Sequence, residues 1–346
     1  MSSAEISSIR VVPADQRVSV VGVGSAGNNL LSHAIVSGLS PSQCVAVNTD
    51  KSQLSRSPAR SKVLLWSENQ NGQSEGSGLA ENLQRSIHRI TPFTEPSDLT
   101  IVVAGLGGDT GTGAAPLVAQ YSRSHIHPVV SVVTIPFIHE RSRRLIALRG
   151  LKKMVQACDC TIVIDNSAEN GLPSWEGRRS DDLASLAVGG LSSLASRMSQ
   201  IQKQQFQKII SLGPIATLCS SPVKSPETIQ TAVLTALRNP SARLPINEAR
   251  GGILMYSGPN ELSNSSAVLA YQTVASLVGH DIEFSYASLQ FARDPSVCLL
   301  LTGYEYGLTV RAFVEFIENL YDTEYGQPGS GSMVGLQIPL FQMEQA

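Results

Sequence analysis

Short runs of β-branched and small apolar residues alternate along the chain with longer stretches of helical spacing. Arg17 to Val23 (RVSVVGV) predicts a buried strand entering a glycine turn, followed by a helix from Asn28 to Ser37 that Gly38 ends. Cys44 to Asn48 predicts a second strand, Ser67 to Gly78 a polar loop, and Leu79 to Ile90 a helix. Leu99 to Ala104 predicts a strand entering a second glycine loop, and Pro128 to Thr134 and Thr161 to Ile164 add further strands. Strands separated by helices predict an α/β fold with a parallel sheet covered on both faces, binding its ligand at the carboxyl ends of the strands. From Asp181 to about Ile210 the pattern predicts one long, largely helical stretch. Beyond it, Gly252 to Ser257, Ile282 to Ser285 and Ser296 to Thr302 predict the strands of a second, smaller α/β domain. The expected organisation is an N-terminal extension over 1–16, a first domain over 17–180, a helical connector over 181–221, a second domain over 222–305, and a helix (Val310 to Tyr321) and tail over 306–346.

Composition narrows the functions. Hydrophobic residues make up 42% of the 346, enough for substantial cores, and charged residues only 16%. A net charge of −2 gives no general electrostatic reason to bind nucleic acid or an anionic membrane. No apolar run reaches the roughly 18 residues of a membrane helix, and Met1 to Arg10 has no apolar leader segment. The five cysteines form no C-x-x-C pair, so neither a disulfide framework nor a zinc site is indicated. A cytoplasmic protein without direct membrane insertion is expected.

Two glycine loops carry the candidate chemistry. Gly22-Val23-Gly24-Ser25-Ala26-Gly27 fits G-x-G-x-x-G between a strand and a helix, and Asp50 closes the next strand about 20 residues further on. By itself that pattern points to a dinucleotide cofactor such as NAD. The second loop, Ala104 to Pro116 (AGLGGDTGTGAAP), has five glycines and two threonines ahead of a helix. Glycines let backbone N–H groups approach phosphate oxygens, threonines add hydroxyl donors, and a helix N-terminus adds positive potential. Neither loop contains G-x-x-x-x-G-K-[ST], so the usual P-loop is excluded.

The second loop resembles the GGGTGTG signature of the tubulin/FtsZ family. In order along the chain, Gly22 to Asn29 resembles the first phosphate loop of that family, and Ala46 to Asp50 (AVNTD) its "INTD" segment. Val133 to Phe137 (VTIPF) resembles "VT-x-PF", and Ala249 to Gly252 the "ARG" opening of the second domain. The resemblance covers roughly 17–305. It implies a two-domain fold with a GTP-binding domain, a central helix, an activation domain and head-to-tail filaments, with GTP or GDP in place of NAD. It assigns nucleotide contacts to Gly22, Gly24, Ser25, Ala26, Gly27, Asn29, Asn48, Asp50, Gly105, Gly107, Gly108, Asp109, Thr110, Gly111, Thr112, Gly113 and Pro136. Glu140 and Arg144 fall near the ribose and phosphates, Asn166 on a nucleotide loop, and Asp182 on the guanine.

The chain departs from the family at three places. In the family, a loop after the central helix carries acidic residues three apart that reach the neighbour's γ-phosphate and activate water. Here no Asp or Glu occurs between Asp182 and Glu227. Carrying the helix forward without gaps puts Gln204 and Gln207 on those positions. Glutamine can orient water but cannot accept its proton, so self-activated hydrolysis is expected to be weak, absent, or dependent on a partner subunit. Asp109 replaces a glycine of the signature, and it either points away, helps to hold Mg²⁺, or weakens triphosphate binding. Gly72 and Gly76 lie in a third loop (SENQNGQSEGSG) poorer than the family's.

His125-Ile126-His127 reads as a solvated strand-edge pair, the basic run Arg141 to Lys153 as a solvated face with one nucleotide contact at Arg144, and the cysteines as buried hydrophobes. Gln337 to Phe341 (QIPLF) resembles the family's adaptor peptide, so the tail either binds a membrane adaptor or packs on the protein itself. The leading expectation is a filament subunit for cell division or shape that self-associates or copolymerises with another FtsZ. The alternatives are an active GTPase using Gln204 or Gln207, and a structural module without nucleotide.

Overall fold

The computed structural model describes residues 7–9, 18–65, 86, 89–94, 97–123, 127–168, 180–223, 229–258, 261–279, 281–289 and 295–311. The third loop, most of the helix expected after it, and the tail with its adaptor-like peptide lie outside them.

The apolar runs form strands for the expected reason. In β2 (Val18–Val23), β6 (Val129–Ile135) and β7 (Cys160–Asp165) every residue is buried, because both faces of the sheet are covered. Together with β1 (Ser7–Ile9), β3 (Cys44–Asn48), β4 (Ser61–Leu64), β5 (Leu99–Gly105), β8 (Ile215–Pro222), β9 (Gly251–Ser257), β10 (Glu283–Leu289) and β11 (Ser296–Tyr304), they build an 11-stranded sheet of order β1-β10-β9-β11-β8-β7-β6-β5-β2-β3-β4. Pairing is parallel throughout except for β11, antiparallel to both β8 and β9.

The strands of both halves form this one sheet through a short parallel ladder, Thr161 to Val163 of β7 on Ile215 to Thr217 of β8. Ser241 Oγ stitches the seam, donating to the Val163 carbonyl (2.7 Å) and accepting from the Leu218 N–H (3.0 Å). β8 was not predicted, since IATLCSSP lacks the strong β-branched run of its neighbours. Nor was β1, which lies in the expected extension and pairs along the β10 edge.

One face is covered by α1 (Gly24–Val36), α2 (Lys51–Arg56), α6 (Ser180–Ala195) and α7 (Gln200–Ile210). The other is covered by α4 (Asp109–Arg123), α5 (Arg141–Ala157), α8 (Ile229–Leu237) and α9 (Asn264–Val278). A single turn, α3 (Thr91–Thr94), precedes β5. The stretch expected to be one helix from Asp181 to Ile210 is two helices, broken over 196–199. Ser199 caps α7, and Gln202 Oε1 accepts the Ser199 N–H (2.8 Å), the glutamine half of a capping box. That local signal ended the first helix where periodicity alone continued it. Among the described residues no helix is long and apolar enough to cross a membrane.

All five cysteines are free and buried. Burial pushes the Cys44 and Cys158 thiols up to about 12, and raises Cys160 and Cys219 further. In the unfolded chain a thiol ionises near about 8.5. The stability this burial contributes is therefore complete below that pH and drains away as pH rises towards the folded values. Ellman's reagent at pH 8 should find almost no reactive thiol in the native protein and five in denaturant; several rapidly reacting native thiols would contradict this packing.

Candidate functional site

From β2 the chain moves outward through β3 to β4, then returns to β5 on the other side of β2 and continues through β6, β7 and β8. The sheet therefore reverses direction between β2 and β5, which leaves a crevice at the carboxyl ends of those two strands. Both glycine loops open there, one after each strand, and each leads directly into a helix, α1 or α4. The α1 N-terminus has no side-chain cap, so its first N–H groups are left for a ligand or water.

The glycines have different tasks. A Cβ on Gly27 would run into the Val103 carbonyl of β5, and one on Gly111 into the Gly105 carbonyl at the start of its own loop, so each loop is held close against backbone. Gly24, at φ +73°, turns the chain from strand to helix with its α-carbon face against Gly111. Gly22 makes room for Leu31, a packing role inside the fold. At Gly108 a Cβ would meet nothing within 4 Å: that space is open. Ser25, Ala26, Gly108 and Asp109 are exposed on the two loops, and Asn29 is exposed one helical turn above Ser25.

Other residues of the expected set build the walls. Asn48 is buried, and its Oδ1 accepts from the Thr49 and Asp50 N–H groups (2.8 and 3.2 Å). Asp50 caps α2, accepting from Ser52 and Gln53 N–H groups. The hydroxyls of Thr49 and Thr110 meet at 2.9 Å and join the β3 loop to the second glycine loop. Thr112 Oγ1 accepts the Gly107 N–H (2.8 Å), which leaves its hydroxyl hydrogen to donate, while Gly113 is exposed on α4. Asn28, absent from the expected set, is buried with its amide donating to the Val47 carbonyl (3.0 Å).

The third side departs from expectation. Arg144, expected beside the phosphates, is 1% exposed and grips Asp165 with both guanidinium nitrogens (2.8 and 2.6 Å). It also donates to the Pro136 carbonyl (2.6 Å). The resemblance places it near the ribose and phosphates; the aspartate at the end of β7 draws it inward instead. Asp165 Oδ1 also accepts the Ser167 N–H (2.9 Å), so the pair holds together the loops after β6 and β7. Beside it, Asn166 Oδ1 is buried with no hydrogen-bond partner among the described residues, an orphaned acceptor at the carboxyl edge. Glu140 accepts from the Phe137 N–H (3.1 Å) and from Arg143 (2.8 Å), which also orders the β6 loop. Asp182 lies on the first turn of α6, 3.6 Å from His33 of α1.

Gln204 and Gln207 stand apart from all of these. They are exposed inside α7, past the 196–199 break rather than on it, and line a cavity of about 190 Å³ with Leu99 and Pro128. Those two residues lie at the amino ends of β5 and β6, the edge opposite the glycine loops. The seven residues of β5 put about 20 Å between the two edges. Asp98 lines the same cavity and pairs with Lys203 (3.4 Å), so folding brings to this edge a carboxylate that is distant in sequence. His127, alongside, bonds Thr100 (2.9 Å). Among the described residues no three His, Cys, Asp or Glu are grouped to hold a metal ion.

Comparison with known proteins agrees with this geometry. The family model "Tubulin/FtsZ family, GTPase domain" matches residues 17–171. Cell division protein FtsZ 1 of Methanocaldococcus jannaschii is 30% identical over 271 residues, covering 75% of this chain and 74% of the relative. Its counterpart in Pyrococcus horikoshii is 31% identical over 269 residues, covering 74% and 72%. Among solved structures, a point mutant of FtsZ from M. jannaschii superposes with a TM-score of 0.71 at 28% identity, covering 83% of this chain and 91% of that one. CetZ2 of Haloferax volcanii, solved as a GTPγS-bound protofilament, shares the fold with a TM-score of 0.69 at 22% identity, covering 89% and 99%. A reversing parallel sheet, two touching glycine loops and these sequence matches together establish that the chain belongs to the tubulin/FtsZ family.

Proposed function

We propose that the protein is a GTP- or GDP-binding subunit that assembles head to tail and hydrolyses GTP weakly by itself. The observation that carries this reading is the separation of the two sets of residues. The glycine loops lie at the carboxyl edge of the sheet, Gln204 and Gln207 at the amino edge. One molecule cannot bring them together; a second copy stacked on the first can.

In this reading the phosphates lie on the open backbone at Gly24 to Ala26 and Gly108 to Gly111, where two helix N-termini favour negative charge. Space above Gly108 fits a phosphate, and the orphaned Asn166 acceptor fits an N–H or O–H donor elsewhere on the nucleotide. Mg²⁺, which commonly takes one or two carboxylates with phosphate oxygens and water, would find Asp109 as its protein ligand and would screen the charge of the triphosphate. Glutamine side chains on the opposing copy order water without removing its proton. Copolymerisation with an FtsZ that has acidic activating residues would supply the missing base, and a role in cell division or shape follows from such filaments. An adaptor-binding role for Gln337 to Phe341 belongs to the same reading.

GTP turnover per molecule, measured across a range of protein concentrations, tests this directly. The expected result is a flat, near-zero rate, with a fluorescent GTP analogue still bound. A rate climbing with concentration would overturn the weak-hydrolysis reading in favour of a second one, in which Asp98 serves as the activating carboxylate. Asp98→Asn would then abolish that rise. A flat rate with no binding of the analogue would leave the nucleotide-free structural module.

Ile201 supplies a prediction for assembly. It is 70% exposed on the first turn of α7, at the same edge as the glutamines. Burying it between copies is worth roughly 1.5 kcal/mol, so Ile201→Glu should raise the concentration needed for assembly about tenfold. Sedimentation reads this; an unchanged threshold would remove α7 from the contact.

A further inference from the structure

The geometry points to His33 as a positioning residue that aims the Asp182 carboxylate at the base of the bound nucleotide and so sets its preference for guanine. This rests on the reading of Asp182 as the base-contacting residue. Ser25, Asn29 and His33 follow one another at i, i+4 and i+8, so they share one face of α1. Ser25 and Asn29 are exposed and His33 half-buried, and the stripe runs from the phosphate loop to the start of α6.

There His33 is held between two residues of α6 one turn apart. Its Nδ1 lies 2.9 Å from Ser185 Oγ and its Nε2 3.6 Å from Asp182 Oδ1. The carboxylate favours a hydrogen on Nε2, and in the neutral ring this leaves Nδ1 to accept from the Ser185 hydroxyl. Asp182 thus sets the tautomer, Ser185 holds the ring so that its Nε2–H faces Asp182, and the carboxylate keeps one oxygen and a lone pair of the other for a ligand. A guanine edge presents two adjacent donors, the ring N1–H and the exocyclic amine, and hypoxanthine only the first. A carboxylate held in one orientation accepts both; one free to rotate loses the geometry that recognises the second. His33 carries no motif, which is why the sequence left it unmarked.

Equilibrium binding of GTP and ITP to the purified full chain, by competition against a fluorescent GTP analogue, tests the assignment. His33→Ala is expected to weaken GTP about tenfold, the effect of one well-placed hydrogen bond to a charged group, with ITP changed little, so that the GTP:ITP ratio falls towards one. His33→Gln, whose amide still donates, should restore most of the ratio. Ser185→Ala, which frees the ring to turn while preserving His33, should lower it about threefold. Equal losses for both nucleotides, or an unchanged ratio in all three variants, would overturn the positioning role and leave His33 as a packing residue. Failure of the unaltered protein to bind either nucleotide is a different result, since it removes the nucleotide site itself.

Discussion

Asp165→Asn is expected to destabilise the protein by about 3–5 kcal/mol, the cost of leaving a buried charge without its partner. Arg144 and Asp165 are each 1% exposed. The carboxylate takes two guanidinium hydrogens and the Ser167 N–H, and the guanidinium also reaches the Pro136 carbonyl. Asparagine would offer one oxygen and turn an amide N–H₂ towards a cation. Urea unfolding reads the loss as a lower midpoint with an unchanged slope. The control is the double variant Arg144→Met with Asp165→Leu: removing both charges avoids the orphan, so most of the stability should return. A single-variant loss below about 1 kcal/mol would mean that the pair is solvated, contrary to its burial. Because the pair ties the Pro136 loop to the Asn166 loop, nucleotide binding should weaken in the single variant even where it stays folded.

Gly111→Ala is expected to reduce nucleotide binding about a hundredfold, since a misplacement of about 1 Å in a positioning element has effects of that order. The new methyl would be driven into the Gly105 carbonyl, an atom of the rigid end of β5, so the loop must move. Gly108→Ala provides the comparison. Its methyl enters open space and leaves the fold alone, but takes room proposed for a phosphate. Binding should fall in both variants, while the unfolding midpoint falls only for Gly111→Ala. Unchanged binding in both would place the nucleotide elsewhere.

Much of this molecule was legible in its residues. Strands buried on both faces must be largely apolar, so VSVVGV and VVSVVTI announced themselves, and glycines forced by backbone contact marked the two loops. The sequence by itself therefore revealed the family, most strands of the sheet, the two loops and the absence of a carboxylate from the segment after Asp182, but not the joining of both halves into one sheet through β8. What it left open depends on neighbours distant in the chain. Whether Arg144 faces a ligand or the core was decided by Asp165, which only the β6–β7 pairing brings beside it. Whether helix continues through 196–199 was decided by a cap that competes with periodicity. The approach of Asp98 to the glutamine edge and of His33 to Asp182 joins side chains on separate elements, for which no local pattern exists. Tertiary structure decided these because hydrogen bonds and ion pairs act over a few ångströms, whatever the separation along the chain.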